Sequence, residues 1–231
     1  MKAVILDVGT GDAIHISTDG KEYLIDNGGN LQYSQINQYA EKNRLIFDAV
    51  IITNDRTKNL KGLADESRIR GLFVPENYIA KEYDEDLAMK SYALYDKIEL
   101  SEHAFLEMVG DDGKNLSLLL YYYGSPVCLF AQTSDETIWY DGIVPIVKLA
   151  KGGDGEAITG EKLNRWQPAN AIISVKKNDS KELPDKEVLR LLENMRINPW
   201  ITSKTGAVTI TCAPDGTLRI SAEKDRQKRN T

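Results

Sequence analysis

A cluster of polar and charged side chains follows an apolar run near position 50. Residues 49–53 (AVIIT) are apolar and rich in β-branched side chains, and the next six, 54–59 (NDRTKN), include Asn, Asp, Arg and Lys but no His or Cys. Polar groups at the end of a buried strand, just ahead of a helix, are where α/β proteins usually place their chemistry. The pattern therefore predicts a functional strand end that lacks imidazole and thiolate groups.

Aspartates also stand at glycine-containing turns elsewhere in the chain. Asp7 and Asp12 flank a Gly-x-Gly turn, and Asp26 precedes an Asn-Gly pair. Aspartates at such positions commonly accept hydrogen bonds from backbone amides, so we expect turn formation rather than catalysis as their main role. The glycine-rich loop 151–155 (KGGDG) offers amides that could contact a phosphate, although glycine loops without phosphates are far commoner.

The composition is that of a globular protein with a sizeable core. The 231 residues are 42% hydrophobic and 28% charged, with a formal net charge of -6. The negative charge argues against broad nucleic-acid binding, which depends on Lys and Arg, but it leaves a local basic groove open. A nucleic-acid partner is thus unsupported by the net charge.

The apolar runs of the sequence bear on the cellular compartment of the protein and on the redox state of its cysteines. The N-terminal run MKAVILDV is too short for the core of a signal peptide, and the longest apolar run, 116–131, is interrupted by Gly-Ser-Pro before it could span a bilayer. We therefore expect a cytoplasmic protein without a membrane partner. Cys128 and Cys212 lie in separate apolar runs and are expected to be buried, reduced thiols rather than a disulfide.

Strand-like and helix-like segments alternate along the chain. Short β-branched runs joined by tight turns fill the first third, and helices are predicted at 31–43, 160–166 and 185–194. Residues 76–97 fit either a helix or a surface excursion. This alternation predicts an α/β protein with stacked sheets flanked by helices, in a single domain over 1–221 followed by a polar tail over 222–231.

Six sequence blocks, taken in order, resemble the metallo-β-lactamase fold and, more narrowly, the hydrolase domain of ComEC-type DNA-internalisation proteins. The blocks are 6–13 (LDVGTGDA), 23–28 (YLIDNG), 47–53 (FDAVIIT), 115–120 (NLSLLL), 171–175 (AIISV) and 205–210 (TGAVTI). They extend over nearly the whole chain. The resemblance implies a four-layer αββα sandwich.

The resemblance also implies a dinuclear metal site, whose main ligands are an His-x-His-x-Asp-His run after the strand ending in Thr53. Here Asn54 and Asn59 stand at the first and third His positions, Arg56 at the second His and Lys58 at the Asp position, with Asp55 between them. The family's His-His-Gly-Ser stretch corresponds to residues 151–154 (KGGD). The resemblance therefore points to a degenerate ligand motif.

The remaining ligand positions depart from the family as well. Thr133 stands at the position where the family has the carboxylate that bridges the two metal ions, although a bulge in the strand could bring Asp135 to that position instead. The chain has only two histidines, His15 and His103, and neither lies near the ligand loops in sequence. We therefore expect no resident metal and no cofactor.

Two roles are open for the cations that replace the metal ligands. Arg56, Lys58 and Lys151 could neutralise Asp12 and Asp26 as counter-ions, because buried charge is costly when unpaired. Alternatively, the same cations could hold an anionic ligand together with neighbouring amides. The candidate pocket residues are Asp12, Asp26, Asn54, Asp55, Arg56, Lys58, Asn59, Thr133, Asp135 and Lys151.

The leading functional hypothesis is a catalytically inactive member of the fold, a pseudoenzyme, that binds a protein partner or an anionic ligand in the former active site. The partner would be an active relative or another component of the same pathway. The alternative is a residual nuclease or phosphodiesterase that uses Asp12, Asp26, Asp55 and Asp135 to bind Mg²⁺ or Mn²⁺. A purely structural domain is the third hypothesis.

Overall fold

Two large β-sheets form the centre of the protein. The structure is a computed structural model that describes residues 1–9, 11–28, 33–54, 60, 63–64, 68–76, 78–79, 87–178 and 181–224. The strands of the first sheet are β1 (Lys2–Ile5), β2 (Ile14–Thr18), β3 (Lys21–Ile25), β4 (Ala49–Ile51), β5 (Gly71–Pro75), β6 (Ala88–Tyr92), β14 (Val208–Cys212) and β15 (Leu218–Ala222). Their order is β15-β14-β1-β2-β3-β4-β5-β6.

The second sheet is built in the same way. Its strands are β7 (Lys97–Glu99), β8 (Ala104–Asp111), β9 (Leu116–Tyr122), β10 (Ser125–Phe130), β11 (Ile146–Lys148), β12 (Asn170–Ile173) and β13 (Asn198–Ile201), in the order β13-β12-β11-β10-β9-β8-β7. Each sheet joins an antiparallel part to a parallel part, β3 to β6 in the first and β10 to β13 in the second. The parallel strands of a sheet end at the same edge.

Helices cover the outer faces of both sheets. They are α1 (Tyr33–Asn43), α2 (Gly160–Trp166), α3 (Lys186–Asn194) and the short α4 (Thr202–Thr205). Thr159 caps α2 by accepting a hydrogen bond from the Lys162 amide, and Asp185 caps α3 by accepting one from the Glu187 amide. Val188 and Leu192, four residues apart on α3, are buried because they share the face toward the sheet.

Three apolar clusters confirm the predicted αββα layering. One lies between the sheets and includes Ile14, Leu120 and Phe130. Another joins the outer face of the second sheet to α2 and α3. The third joins the outer face of the first sheet to Ile36 of α1. The core is therefore divided among all the layer interfaces.

Several elements differ from the sequence prediction. The described part of 76–97 contains β6 rather than a helix. Strand β13 was not predicted, because Asn-Pro-Trp-Ile lacks a run of β-branched residues and carries a proline, which is tolerated on this edge strand. No helix in the described ranges is long and apolar enough to cross a bilayer.

Candidate functional site at the strand ends

The two sheets meet at the edge where their parallel strands end. The amide of Leu116, at the start of β9, donates to the carbonyl of Thr53, just after β4, at 2.8 Å. Asn54 forms an isolated bridge with Asn115. The amide of Gly28 donates to the carbonyl of Asp12 at 2.8 Å, which fixes the loop after β3 against the loop between β1 and β2. These bonds place residues from distant blocks of the sequence beside each other.

Asp26 is held at this edge by several hydrogen-bond donors. Its side chain is 2% exposed, and its Oδ1 accepts the amide of Thr53 at 2.9 Å. Its Oδ2 accepts the hydroxyl of Thr53 and the Asn54 Nδ2 group, the latter at 3.1 Å, while Gln132 Nε2 lies at 3.5 Å. A buried carboxylate needs such donors, so Asp26 is a structural acceptor that ties β3, β4 and the end of β10 together.

Asp12 forms a buried ion pair with Lys148. The Lys148 Nζ group contacts Asp12 Oδ2 and also lies 3.4 Å from the carbonyl of Ala131. Lys148 is 1% exposed and Asp12 12% exposed, so both charges are largely removed from water. A lysine is buried to this extent only when it is paired, and the pair joins the second sheet to the first.

Two candidate residues on the second sheet have other partners. The hydroxyl of Thr133 lies 2.9 Å from that of Ser117. Asp135 accepts the amide and the hydroxyl of Thr159, at 2.7 and 2.5 Å, and so braces the residue that caps α2. The structure thus brings Asp12, Asp26 and Asn54 to the sheet junction, and directs Asp135 to the start of α2.

Exposed lysines lie around the same edge. Lys151 follows β11 with left-handed backbone angles (φ 50°, ψ 27°) and an exposed side chain. Gly152 lies close to the chain after β12, since a Cβ placed on it would lie 3.3 Å from the carbonyl of Ser174. Gly9 lies beside Lys176, since a Cβ placed on it would lie 3.8 Å from that side chain. Lys151, Lys176 and Lys177 make no salt bridge in the described part of the chain.

The remaining candidate residues, Asp55, Arg56, Lys58 and Asn59, lie outside the described residues. Among the described residues, the cation that pairs with Asp12 is Lys148. Lys148 was not among the cations predicted to neutralise Asp12. Lys151, which was considered, is exposed. The signal in the sequence that could have identified Lys148 is a single lysine inside an otherwise apolar strand (IVK), because a charge at a buried strand position requires a partner.

The histidines and buried cysteines contribute nothing to this edge. His15 lies on β2 between Tyr39 and Glu22, and His103 stacks on Tyr123 with 4.2 Å between ring centroids. Burial raises the pKa of the Cys128 thiol well above its usual range, an effect that the charge of Lys148 opposes only in part. Cys128 is therefore a protonated core thiol rather than a nucleophile or a metal ligand.

The described residues do not fit a dinuclear metal centre. Such a centre needs several carboxylate or imidazole groups that turn free lone pairs toward a common point. Here Asp12 Oδ2 contacts an ammonium group, and Asp26 and Asp135 accept from N–H and O–H donors. The buried Oδ1 of Asp12 has no hydrogen-bond partner among the described residues, but one such oxygen does not make a two-metal site. Among the residues that the structure describes, no three His, Cys, Asp or Glu side chains come together.

Comparison with known proteins shows the fold. No family model matches the sequence, and no curated protein matches it. Solved structures do match. YhfI of Bacillus subtilis, a metallo-β-lactamase fold protein, has a TM-score of 0.61 at 8% identity, over 95% of this chain and 99% of that one.

Two further solved structures agree. Igni18, a metallo hydrolase of Ignicoccus hospitalis KIN4/I, has a TM-score of 0.64 at 12% identity over 92% of this chain and 100% of its own. Zinc-bound PqqB of Methylobacterium extorquens has a TM-score of 0.64 at 11% identity over 95% and 99%. The chain therefore has the metallo-β-lactamase fold, as the ordered sequence blocks predicted; identities this low show the fold alone.

Proposed function

We propose that this protein binds an anionic ligand at the junction of its sheets and does not hydrolyse it. The ligand is a phosphate or carboxylate group, either free or carried by a protein partner. Within the fold, the sequence blocks from 6–13 to 205–210 favour a relationship to ComEC-type hydrolase domains with a degenerate metal motif. The proposal concerns this chain's own side chains and does not extend DNA uptake to it.

The observation that carries the proposal is the contrast between paired carboxylates and unpaired lysines. The negative charge of Asp12 is neutralised by Lys148, and Asp26 is enclosed by donors from Thr53 and Asn54. Lys151 and Lys176, by contrast, are exposed and have no salt-bridge partner in the described ranges. With Asp12 and Asp26 paired, the ammonium groups of Lys151 and Lys176 are the charges at this edge on which the proposal rests, and they would attract an anion.

Flexible ammonium groups suit this role because lysine acts as a point charge toward phosphate. Both lysines stand next to glycines: Lys151 precedes Gly152, and Lys176 packs beside Gly9 at ordinary van der Waals distance. Because both side chains are exposed, dissolved salt would screen their attraction for an anion bound between them. We therefore expect modest, salt-dependent affinity.

The alternative of a carboxylate-only Mg²⁺ or Mn²⁺ site is not favoured. It would use Asp12, Asp26, Asp55 and Asp135, and the three of these that the structure describes, Asp12, Asp26 and Asp135, would have to release their present partners and converge on one ion. Lys148 would then lose its counter-ion inside the protein, which is costly. Each partner bond therefore opposes the formation of that site.

The test is calorimetric titration with inorganic pyrophosphate at low and at high salt. We expect saturable binding at low salt that weakens as salt rises, and about a tenfold loss of affinity, about 1.4 kcal/mol, in the Lys151→Gln/Lys176→Gln variant. The matched control is Lys21→Gln/Lys90→Gln, which removes the same charge from the start of β3 and from the edge strand β6. The proposal fails if pyrophosphate does not bind, or if both double variants lose affinity equally.

A further inference from the structure

A concave site lies on the outer face of the first sheet, and its Asp7 end adjoins the loop that carries Asp12. It is a cleft of about 460 Å³ between α1 on one side and β1 and β14 on the other. Clefts of roughly 300–1,000 Å³ are typical of sites for small ligands. The lining residues are Lys2, Val4, Leu6, Asp7, Val8, Gln35, Ile36, Tyr39, Lys42, Asn43, Ala207, Thr209 and Glu223.

The cleft carries opposite charges at its two ends. Helix α1 connects the parallel strands β3 and β4, so it runs back antiparallel to them and to β1. Lys42, in the last turn of α1, therefore lies at the end of β1 that begins with Lys2. Asp7 follows the other end of β1, where extended chain places it up to about 16 Å from Lys2.

Glu223 stands with Asp7 at the acidic end. Its amide donates to the carbonyl of Ala207 at 3.0 Å, and its charge raises the pKa of Asp7. Partial desolvation is the larger cause of that raised pKa, and the nearby Lys224 opposes it. Lys224 donates to the carbonyl of Lys204 at 2.7 Å and forms no salt bridge with either carboxylate in the described structure.

The middle of the cleft is apolar, and hydrogen bonds hold the tyrosine in its wall. Val4, Leu6 and Ile36 form its floor as part of the third apolar cluster. Tyr39 in its wall lies 2.8 Å from Nδ1 of His15, whose Nε2 lies 2.5 Å from Glu22. Burial lowers the pKa of His15, so the neutral ring donates from Nε2 to Glu22 and accepts the hydroxyl of Tyr39. The Tyr39 ring is thus fixed in place.

We propose that this cleft binds a linear zwitterion, namely a short peptide with free termini, whose carboxylate lies between Lys2 and Lys42 and whose ammonium group lies between Asp7 and Glu223. None of these four side chains forms a salt bridge within the described residues, and the Asp7 carboxylate has hydrogen bonds from Thr202 and the amide of Gly9. An extended peptide of about five residues spans about 16 Å, which matches the upper limit of the separation between Lys2 and Asp7. The proposal is independent of the anion site at the sheet junction.

The test is a titration of the full chain with pentaalanine that has free termini, followed by calorimetry. We expect saturable binding that weakens about tenfold in Lys2→Gln/Lys42→Gln and by a similar factor in Asp7→Asn/Glu223→Gln. C-terminal amidation of the peptide should abolish the effect of the lysine variant, and N-terminal acetylation should abolish the effect of the acidic variant. Dialanine, too short to reach both ends, should bind more weakly.

The matched control is Lys151→Gln/Lys176→Gln, which should leave peptide binding unchanged while it weakens pyrophosphate. The cleft proposal is overturned if pentaalanine does not bind, if the capped peptides bind as well as the free one, or if the control variant weakens the peptide as much as Lys2→Gln/Lys42→Gln. Circular dichroism of each variant shows whether a lost affinity reflects lost folding.

Discussion

The ammonium group of Lys148 contacts the carboxylate of Asp12 although the two residues lie 136 positions apart in the chain. Lys148 ends a parallel strand of the second sheet, and Asp12 lies in the loop between β1 and β2 of the first. The pair therefore fixes one sheet against the other at the edge where the parallel strands of both sheets end. It also neutralises the charge of Asp12 at this edge.

Removal of one partner should destabilise the protein strongly. Lys148→Met leaves the Asp12 carboxylate largely buried without its cation, so we expect a loss of about 3–5 kcal/mol in the free energy of unfolding. The double variant Asp12→Asn/Lys148→Met removes both charges and should recover part of that loss. Urea denaturation of the single and double variants measures the coupling, and additive losses would show that the two charges do not interact.

Gly11 should tolerate no side chain. It has a φ of 108°, and a Cβ there would lie 2.4 Å from the carbonyl oxygen of Gly28, a backbone atom that cannot move away easily. We expect Gly11→Ala to cost roughly 3 kcal/mol through strain and overlap. Gly20→Ala is the matched control, since Gly20 has a φ of 77° but no atom within 4 Å of the added Cβ. It should cost about 1 kcal/mol, for backbone strain alone. Equal losses in the two variants would contradict the packing argument.

His15 should make the protein sensitive to acid. Burial lowers its folded-state pKa below 6.5, and although hydrogen bonding and the charge of Glu22 oppose this effect, the charge of Lys2 adds to it. The unfolded state then binds more protons below pH 6.5, so the stabilisation present at neutral pH is lost as the pH falls below that value toward the folded pKa. The ring also contacts Tyr39 and Phe47, which a charged imidazole would disturb.

Urea midpoints measured from about pH 8 to about pH 5 check this expectation. His15→Gln should be less stable than the natural protein at pH 8 and should lose less stability on acidification. His103→Gln, which changes the only other histidine in the sequence, should retain the natural pH dependence. If His15→Gln loses as much stability on acidification as the natural protein does, the pH dependence arises from other groups.

Added metal ions should neither bind stoichiometrically nor create a hydrolase. We expect Zn²⁺, Mn²⁺ and Mg²⁺ to leave the melting temperature unchanged and to be absent after desalting, as measured by plasma mass spectrometry. Turnover of bis-p-nitrophenyl phosphate should stay at the level of buffer with metal. A zinc-loaded protein of the same fold serves as the positive control. Retention of one or two ions per chain would instead support the carboxylate-metal alternative.

Much of the fold could be predicted because its signals are local. Apolar runs with β-branched residues, such as that around Val50, mark buried strands, and the Asp-Gly pair at 19–20 marks the turn between β2 and β3, where both residues have positive φ. The range 160–166 was predicted as a helix and is one. Strand β13 was missed because its few apolar residues and proline give only a weak strand pattern.

The sequence by itself determined the order of the strands and helices, the absence of an imidazole cluster and the residue types available at the strand ends. Only the tertiary structure decided which charges meet: Lys148, rather than Lys151, lies against Asp12, and Asp135 turns to Thr159. The physical reason is that local patterns fix backbone conformation over a few residues, whereas an ion pair depends on which side chains two packed sheets bring into contact.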